Sequence, residues 1–226
     1  MTIRLFDAPF RRIPPAALAR WAKIPPAVAS DVMDRAGAMR GAMAPVRPGM
    51  TLCAQARTVK TMVADNGPIH AAMDVLEVGD ALAIDAGGYD DQAVFGGLLA
   101  QRAIHVGCAG VVVDGAVRDA AELREFGLPV FSHAIVPSGP HKGFGGEIDG
   151  EIACSGCVIR PGDLLLGDDD GVVVVPLARA DALLAKAEAK LASEADIVKR
   201  MKAGERLSDL SGVPAPIIAP SGGEGR

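Results

Sequence analysis

Three consecutive valines, Val111 to Val113, run out of Ala109-Gly110 and into Asp114-Gly-Ala-Val-Arg118-Asp119, and this passage constrains the chain more than any other. A short, wholly apolar, β-branched run suits a strand covered on both faces, as in a parallel sheet. Asp114-Gly115 reads as the break that ends it. Ala120 to Phe126 then has helical spacing and stops at Gly127, so a strand passes through a polar loop into a helix. Upstream, Gly96-Gly97-Leu98-Leu99 opens a helix that reaches Ile104 and returns to the valine strand. Together these form a β-α-β unit and predict an α/β fold.

The flanking segments fit that class. A glycine-containing turn precedes an apolar strand three times: Arg47-Pro-Gly49 before Thr51 to Val63, Val78-Gly79-Asp80 before Ala81 to Ile84, and Arg160-Pro-Gly-Asp163 before Leu164 to Leu166. Gly87-Gly88 reads as the end of the second strand. Ile13 to Ala36 reads as two short helices separated by Ile24-Pro25-Pro26, and Ile69, Ala72, Met73 and Leu76 mark an amphipathic helix. Leu128 to Phe131 is a further strand, followed by a glycine-rich stretch, Ser138 to Gly150, that reads as a functional loop. Asp168-Asp169-Asp170 suggests a metal site at first sight, but Asp170-Gly171 between two apolar runs reads better as a hairpin turn. A long Ala/Leu/Lys/Glu helix spans Leu177 to about Met201, and the tail from Gly204 lacks periodicity and reads as extended or disordered.

Composition excludes several classes. Half of the 226 residues are hydrophobic while aromatics are only 4%, so the core is aliphatic and no aromatic platform exists for stacking bases. A net charge of −5 argues against nucleic-acid binding, which normally needs a basic stripe. Met1 to Pro15 has no apolar leader segment and no run approaches a membrane span, so a cytoplasmic location without membrane contact is expected. The four cysteines lack the density of a disulfide scaffold. Cys154-Ser-Gly-Cys157 has neither a second ligand pair nor the strand-to-helix setting of a redox motif. Among the four histidines, His141, beside Lys142 in the glycine-rich loop, is the one with a functional setting.

Two half-sites flank the β-α-β unit. Glycines at the start of a helix let a ligand approach first-turn amides that attract an anion, at Gly96, Gly97, Leu98 and Leu99. Arg118 can grip a carboxylate and Asp119 offers a hard oxygen to Mg²⁺ or Mn²⁺. The alternative is that Asp119 is a helix N-terminal residue favoured by the dipole, with Arg118 its surface partner. Taken together the half-sites suit a small keto acid held by amides and Arg118 with its oxygens at a metal.

Gly96-Gly-Leu-Leu-Ala100, Gly110-Val-Val-Val-Asp-Gly-Ala-Val-Arg-Asp119, Pro161-Gly-Asp163 and Asp168-Asp-Asp-Gly-Val-Val-Val-Val-Pro176, in that order, resemble the class II 4-hydroxy-4-methyl-2-oxoglutarate (4-carboxy-4-hydroxy-2-oxoadipate) aldolases, a family that includes the RraA regulators of ribonuclease E. The resemblance implies a swivelling, phosphohistidine-domain-like α/β fold, in trimers or hexamers with sites at subunit interfaces. It divides the chain into an N-terminal helical segment (1–25), an RraA-like catalytic domain (26–178), a C-terminal helix (179–203) and the tail (204–226). It implies a lyase that cleaves 4-hydroxy-2-oxo acids to pyruvate with a divalent metal, Mg²⁺ or Mn²⁺, and decarboxylates oxaloacetate. The amides of Gly96, Gly97, Leu98 and Leu99 would hold the pyruvyl carboxylate, Arg118 the keto or enolate oxygen, and Asp119 the metal. Glu194 would match a glutamate supplied by a neighbouring subunit. One departure stands out: the aldolases usually carry an acidic residue, which orders the metal's waters, where this chain has Gly97. No lysine has a persuasive Schiff-base setting, Lys60 and Lys142 included. The same resemblance admits a regulator that acts by protein binding, or a lyase for another small oxo acid.

Overall fold

The computed structural model describes residues 2–217. Strand β1 (Ile3–Leu5) precedes two short helices, α1 (Pro15–Trp21) and α2 (Pro26–Asp31). Then come β2 (Ala44–Pro45), β3 (Leu52–Thr61), α3 (Gly67–Ala72), β4 (Asp80–Phe95), α4 (Gly97–His105), β5 (Gly110–Val117), α5 (Ala120–Glu125) and β6 (Val130–Ile135). The chain continues through β7 (Gly146–Ile148), β8 (Ile152–Cys154), β9 (Cys157–Ile159), β10 (Leu164–Asp168), β11 (Gly171–Val175), α6 (Ala180–Lys202) and α7 (Leu207–Leu210).

Strands β3, β4, β5 and β6 lie side by side in parallel. The other edge of β3 is shared: Leu52 to Gln55 pair antiparallel with β10, and Val59 to Thr61 with β7. Alternation along the strands sorts side chains onto two faces. Leu82, Ile84, Val111 and Val113 pack with Ile69, Met73, Leu99 and Ala103 beneath α3 and α4. Ala81, Ala83 and Val112 face the other way, towards Met43, Phe131, Ile159 and Leu165. A third cluster seats Trp21, Val28, Leu183 and Leu184 on Leu166, Val173 and Val175, which docks α1, α2 and the start of α6 on the β10–β11 hairpin.

Several local expectations change. Asp114-Gly115 does not end β5: Gly115 takes φ +154°, the pairing with β4 shifts register there, and the strand continues to Val117. Gly87 and Gly88, at φ +75° and +66°, likewise bend β4 without closing it. These bulges re-aim the strand ends and deliver Phe95-Gly96 and Arg118-Asp119 to the same end of the sheet; Arg118 N–H bonds the Phe95 carbonyl at 2.9 Å. The stretch from Ser138 to Gly150 is not all loop, because β7 pairs with β1 and β3.

The hairpin turn centres on Asp169-Asp170, since Asp168 is the register partner of Gly171. Cys154 and Cys157 are register partners across the Ser155-Gly156 turn, and burial pushes both thiols up. That hairpin explains their spacing. The tail is partly ordered: α7 interrupts it, Val213 to Ile217 has no regular structure, and the rest of the expected disordered segment lies outside the described residues. Among the described residues no helix is long and apolar enough to cross a membrane.

Candidate active site

Asp119 starts α5 in the left-handed region, at φ +58°, a conformation aspartate tolerates better than most residues. The local sequence Asp119-Ala-Ala-Glu122 is a capping-box pattern, in which both side chains would serve their own helix. Asp119 instead makes no capping bond to α5. Its Oδ2 accepts the Gly97 N–H at 2.9 Å, so the carboxylate at the start of α5 caps the preceding helix, α4. Asp119 is therefore more than a dipole-favoured residue of its own helix.

Arg118 Nε lies 3.5 Å from the same Asp119 oxygen, and Arg118 Nη1 rests against Gly139 of the glycine-rich loop. Gly96 has an extended backbone open to any residue; space is what requires glycine there. A Cβ would fall 2.6 Å from Asp119 Oδ2 and 2.9 Å from Arg118 Cγ. At Gly97 a Cβ would collide with Glu122 Oε2. The position that lacks an acidic side chain of its own is thus supplied with a carboxylate from α5. Sequence spacing gave no sign of this, because the partner is twenty-five residues on and on another helix.

The first bond within α4 runs from Ala100 N–H to the Gly96 carbonyl, so the Leu98 and Leu99 amides belong to the turn that has no helical acceptors. Leu98, Leu99, Gly96, Arg118 and Asp119 line one pocket of about 60 Å³. Gly97 differs, since its amide is already held by Asp119.

The rest of the lining includes residues that their sequence context did not single out. Asn66, His70 and Lys142 line the same pocket. Asn66 begins α3 ahead of Gly67-Pro68, so its sequence context signals a helix start and nothing more. Burial, with the Lys142 charge second, holds the His70 imidazole below its usual range. His141, the histidine singled out from sequence, is exposed and contributes backbone bonds to Ala64 and Asn66. The fully buried Asp65 accepts the Gly143 N–H at 2.8 Å and the Phe144 N–H at 3.2 Å through Oδ2, and the Gly67 N–H at 2.9 Å through Oδ1. One carboxylate thus ties the glycine-rich loop to the start of α3. Lys60 sits on β3 beside Asp85, away from this pocket. Glu194 lies on α6 and pairs with Lys190 Nζ at 3.1 Å.

A sheet that delivers a glycine-opened helix and an Arg-Asp pair to one pocket defines an α/β protein with a polar pocket beyond its strand ends, where open α/β sheets place their ligand crevices. The chain belongs to the RraA-like family (Aldolase/RraA), whose model matches residues 26–174. It is 34% identical over 171 residues to a Halalkalibacterium halodurans protein provisionally named a 4-hydroxy-4-methyl-2-oxoglutarate aldolase, covering 76% of this chain and 81% of that one. A Thermus thermophilus protein named 4-hydroxy-4-methyl-2-oxoglutarate aldolase is 38% identical over 112 residues, 50% of this chain and 68% of its own. Among solved structures, a Streptomyces coelicolor protein described as an unusual member of the RNase ES inhibitor RraA family superposes with a TM-score of 0.74 at 26% identity, covering 84% of this chain and 100% of that one.

Proposed function

We propose that this protein is a divalent-metal-dependent pyruvate aldolase, cleaving 4-hydroxy-2-oxo acids of the 4-hydroxy-4-methyl-2-oxoglutarate type. The observation that carries the reading is the Asp119 carboxylate, turned off its own helix and set with Arg118 at the mouth of α4. The names of the aldolase relatives support it.

Whether the residues suit a metal is decided by their carboxylates. Among the described residues no group of three or more His, Cys, Asp or Glu side chains is placed to hold an ion. Asp119 and Glu122, however, both bring carboxylate oxygens to Gly97. Two carboxylates on an open rim fit Mg²⁺ or Mn²⁺, of which Mg²⁺ in particular keeps several of its waters, and not an ion caged wholly by protein. A cation held there would supply Lewis-acid charge to the keto oxygen. Glu122→Gln is expected to weaken Mn²⁺ binding roughly tenfold, read by electron paramagnetic resonance of the free ion. Unaltered affinity would remove Glu122 from this role.

The chain's own groups do the remaining work. The Leu98 and Leu99 amides hold the pyruvyl carboxylate at the helix N-terminus. Arg118 donates to the C2 oxygen, where negative charge grows as the C3–C4 bond breaks and its electron pair enters the enolate. Water takes the C4 hydroxyl proton, C4 leaves as a carbonyl, and protonation at C3 releases pyruvate. Oxaloacetate decarboxylation passes through the same enolate and belongs to the same reading. The reading extends to assembly as a trimer or hexamer, in which Glu194 of α6 is available to a neighbouring copy's site.

The test is pyruvate release from 4-hydroxy-4-methyl-2-oxoglutarate and from oxaloacetate with Mg²⁺, Mn²⁺ or EDTA, in wild type and Arg118→Ala. Metal-dependent turnover that falls roughly 10²-fold or more in the variant is expected. No turnover of either substrate by wild type would sink the aldolase and favour the second reading, a regulator acting by protein binding, which rests on the relatives described as ribonuclease inhibitors.

A further inference from the structure

The N-terminal segment from Leu5 to Pro9 borders a second cavity, of about 320 Å³, that shares no residue with the Arg118 pocket. That volume falls at the lower end of the range for small-molecule sites. The lining joins apolar side chains, Leu5, Phe6 and Val75 among them, to Arg57 and Asp149.

These two polar residues hold hydrogen-bonding capacity that the fold leaves unused. Asp149 is 4% exposed. Its Oδ2 lies 3.2 Å from Arg57 Nη1, while its Oδ1 is buried without a partner among the described residues. Arg57 Nη2 donates to the Val75 carbonyl at 2.7 Å. Arg57 Nε is likewise buried without a partner among the described residues, 3.8 Å from Asp80 Oδ2. That oxygen already accepts the Glu77 N–H at 2.9 Å, and Arg12 pairs with the same carboxylate. One donor and one acceptor therefore stay unmatched on two side chains in contact.

The pair is held in place. Asp149, just after β7, takes φ +57°, a backbone that aspartate tolerates better than most residues. Its N–H bonds the Thr58 carbonyl at 2.8 Å, and Thr58 Oγ1 donates to the Gly150 carbonyl at 2.6 Å. A residue kept in this region by its surroundings is a common mark of a ligand site.

Charge selects the ligand. Arg57 and Asp149 balance each other, and Asp7, the other ionisable group of the lining, is exposed to water. A ligand of net charge would leave a desolvated charge without its counterpart. A dipolar ligand would not. We propose that this cavity is a second ligand site, for a free α-amino acid with an apolar side chain. Its ammonium donates to Asp149, its carboxylate accepts from Arg57, and its side chain lies against Leu5, Phe6 and Val75.

The test is titration of the intact protein with L-leucine, read by ligand-observed NMR and so without turnover. Three compounds of the same skeleton accompany it: 4-methylpentanoate, which lacks the ammonium, 3-methylbutylamine, which lacks the carboxylate, and the neutral 4-methylpentanamide. Leucine is expected to bind saturably and each of the others at least roughly tenfold more weakly. Asp149→Asn, which suits the same backbone and loses the charge, weakens leucine by roughly tenfold or more, and Phe6→Ala by roughly threefold or more. Arg118→Ala leaves leucine binding unchanged. If Asp149→Asn does not fold, Phe6→Ala decides. Leucine binding that neither substitution alters, or that Arg118→Ala abolishes, would overturn the proposal. So would equal binding of the amide, or no saturable binding of leucine up to about 20 mM.

Discussion

Asp119→Ala is expected to lower pyruvate release roughly 10³-fold and to cost about 1 kcal/mol of stability. Both effects have one cause: the carboxylate that supplies charge to the pocket also accepts the Gly97 N–H that opens α4. Asp119→Asn separates them. Its amide oxygen can accept the same N–H, so its melting temperature stays within about 2 °C of wild type, while the anionic charge and with it the turnover are lost. Steady-state pyruvate assays beside thermal melts of both variants check this. An asparagine variant that turns over at the wild-type rate would mean that the charge of Asp119 is not used.

The second large effect falls on stability. Trp21 is the only tryptophan in the sequence and is 1% exposed, packed in the cluster that seats α1, α2 and α6 on the last hairpin. Trp21→Ala is expected to cost about 3–5 kcal/mol and to lower the melting temperature by roughly 10 °C. Circular dichroism is the suitable probe, because the substitution removes the indole fluorophore. Trp21 is not among the residues of the Arg118 pocket, so turnover at low temperature is expected to persist. A shift below about 2 °C would mean that the N-terminal helices are appended to the core and do not help hold it.

How legible each part was depended on the range of the forces that fix it. The strands and helices around Val111–Val113 and Leu98–Ile104 followed from periodicity and glycine placement, because one buried face dictates each pattern. Gly87-Gly88 and Asp114-Gly115 read as stops for the same reason that glycines end strands elsewhere. Only the cross-strand pairing of β4 with β5 reveals that they bend strands which continue. Arg118, Asp119 and the glycine-opened helix stand out in the sequence because a strand, a loop and a helix start are contiguous there, and the structure brings them to one pocket. Glu122 and Asn66 do not, since each reads locally as helix-start chemistry and is brought beside Gly97 or into the pocket lining only by the fold. The Asp169-Asp170 turn shows the same limit at short range: a hairpin was evident, while its register depended on pairing between β10 and β11.

The clasp formed by Asp65 has a consequence for how such a protein can change. It grips backbone amides of the loop, at Gly143 and Phe144, and no loop side chain. Neighbouring side chains such as those of Ser138 and Lys142 can therefore be exchanged without loss of this anchor, whereas a Cβ at Gly139 would collide with Arg118 Nη1. The groups to which the aldolase reading assigns the enolate lie elsewhere in the pocket lining, at the start of α4 and at Arg118 between β5 and α5. Descendants of one ancestral scaffold could thus vary a few loop positions while the corner formed by Arg118, Asp119 and the start of α4 is inherited intact.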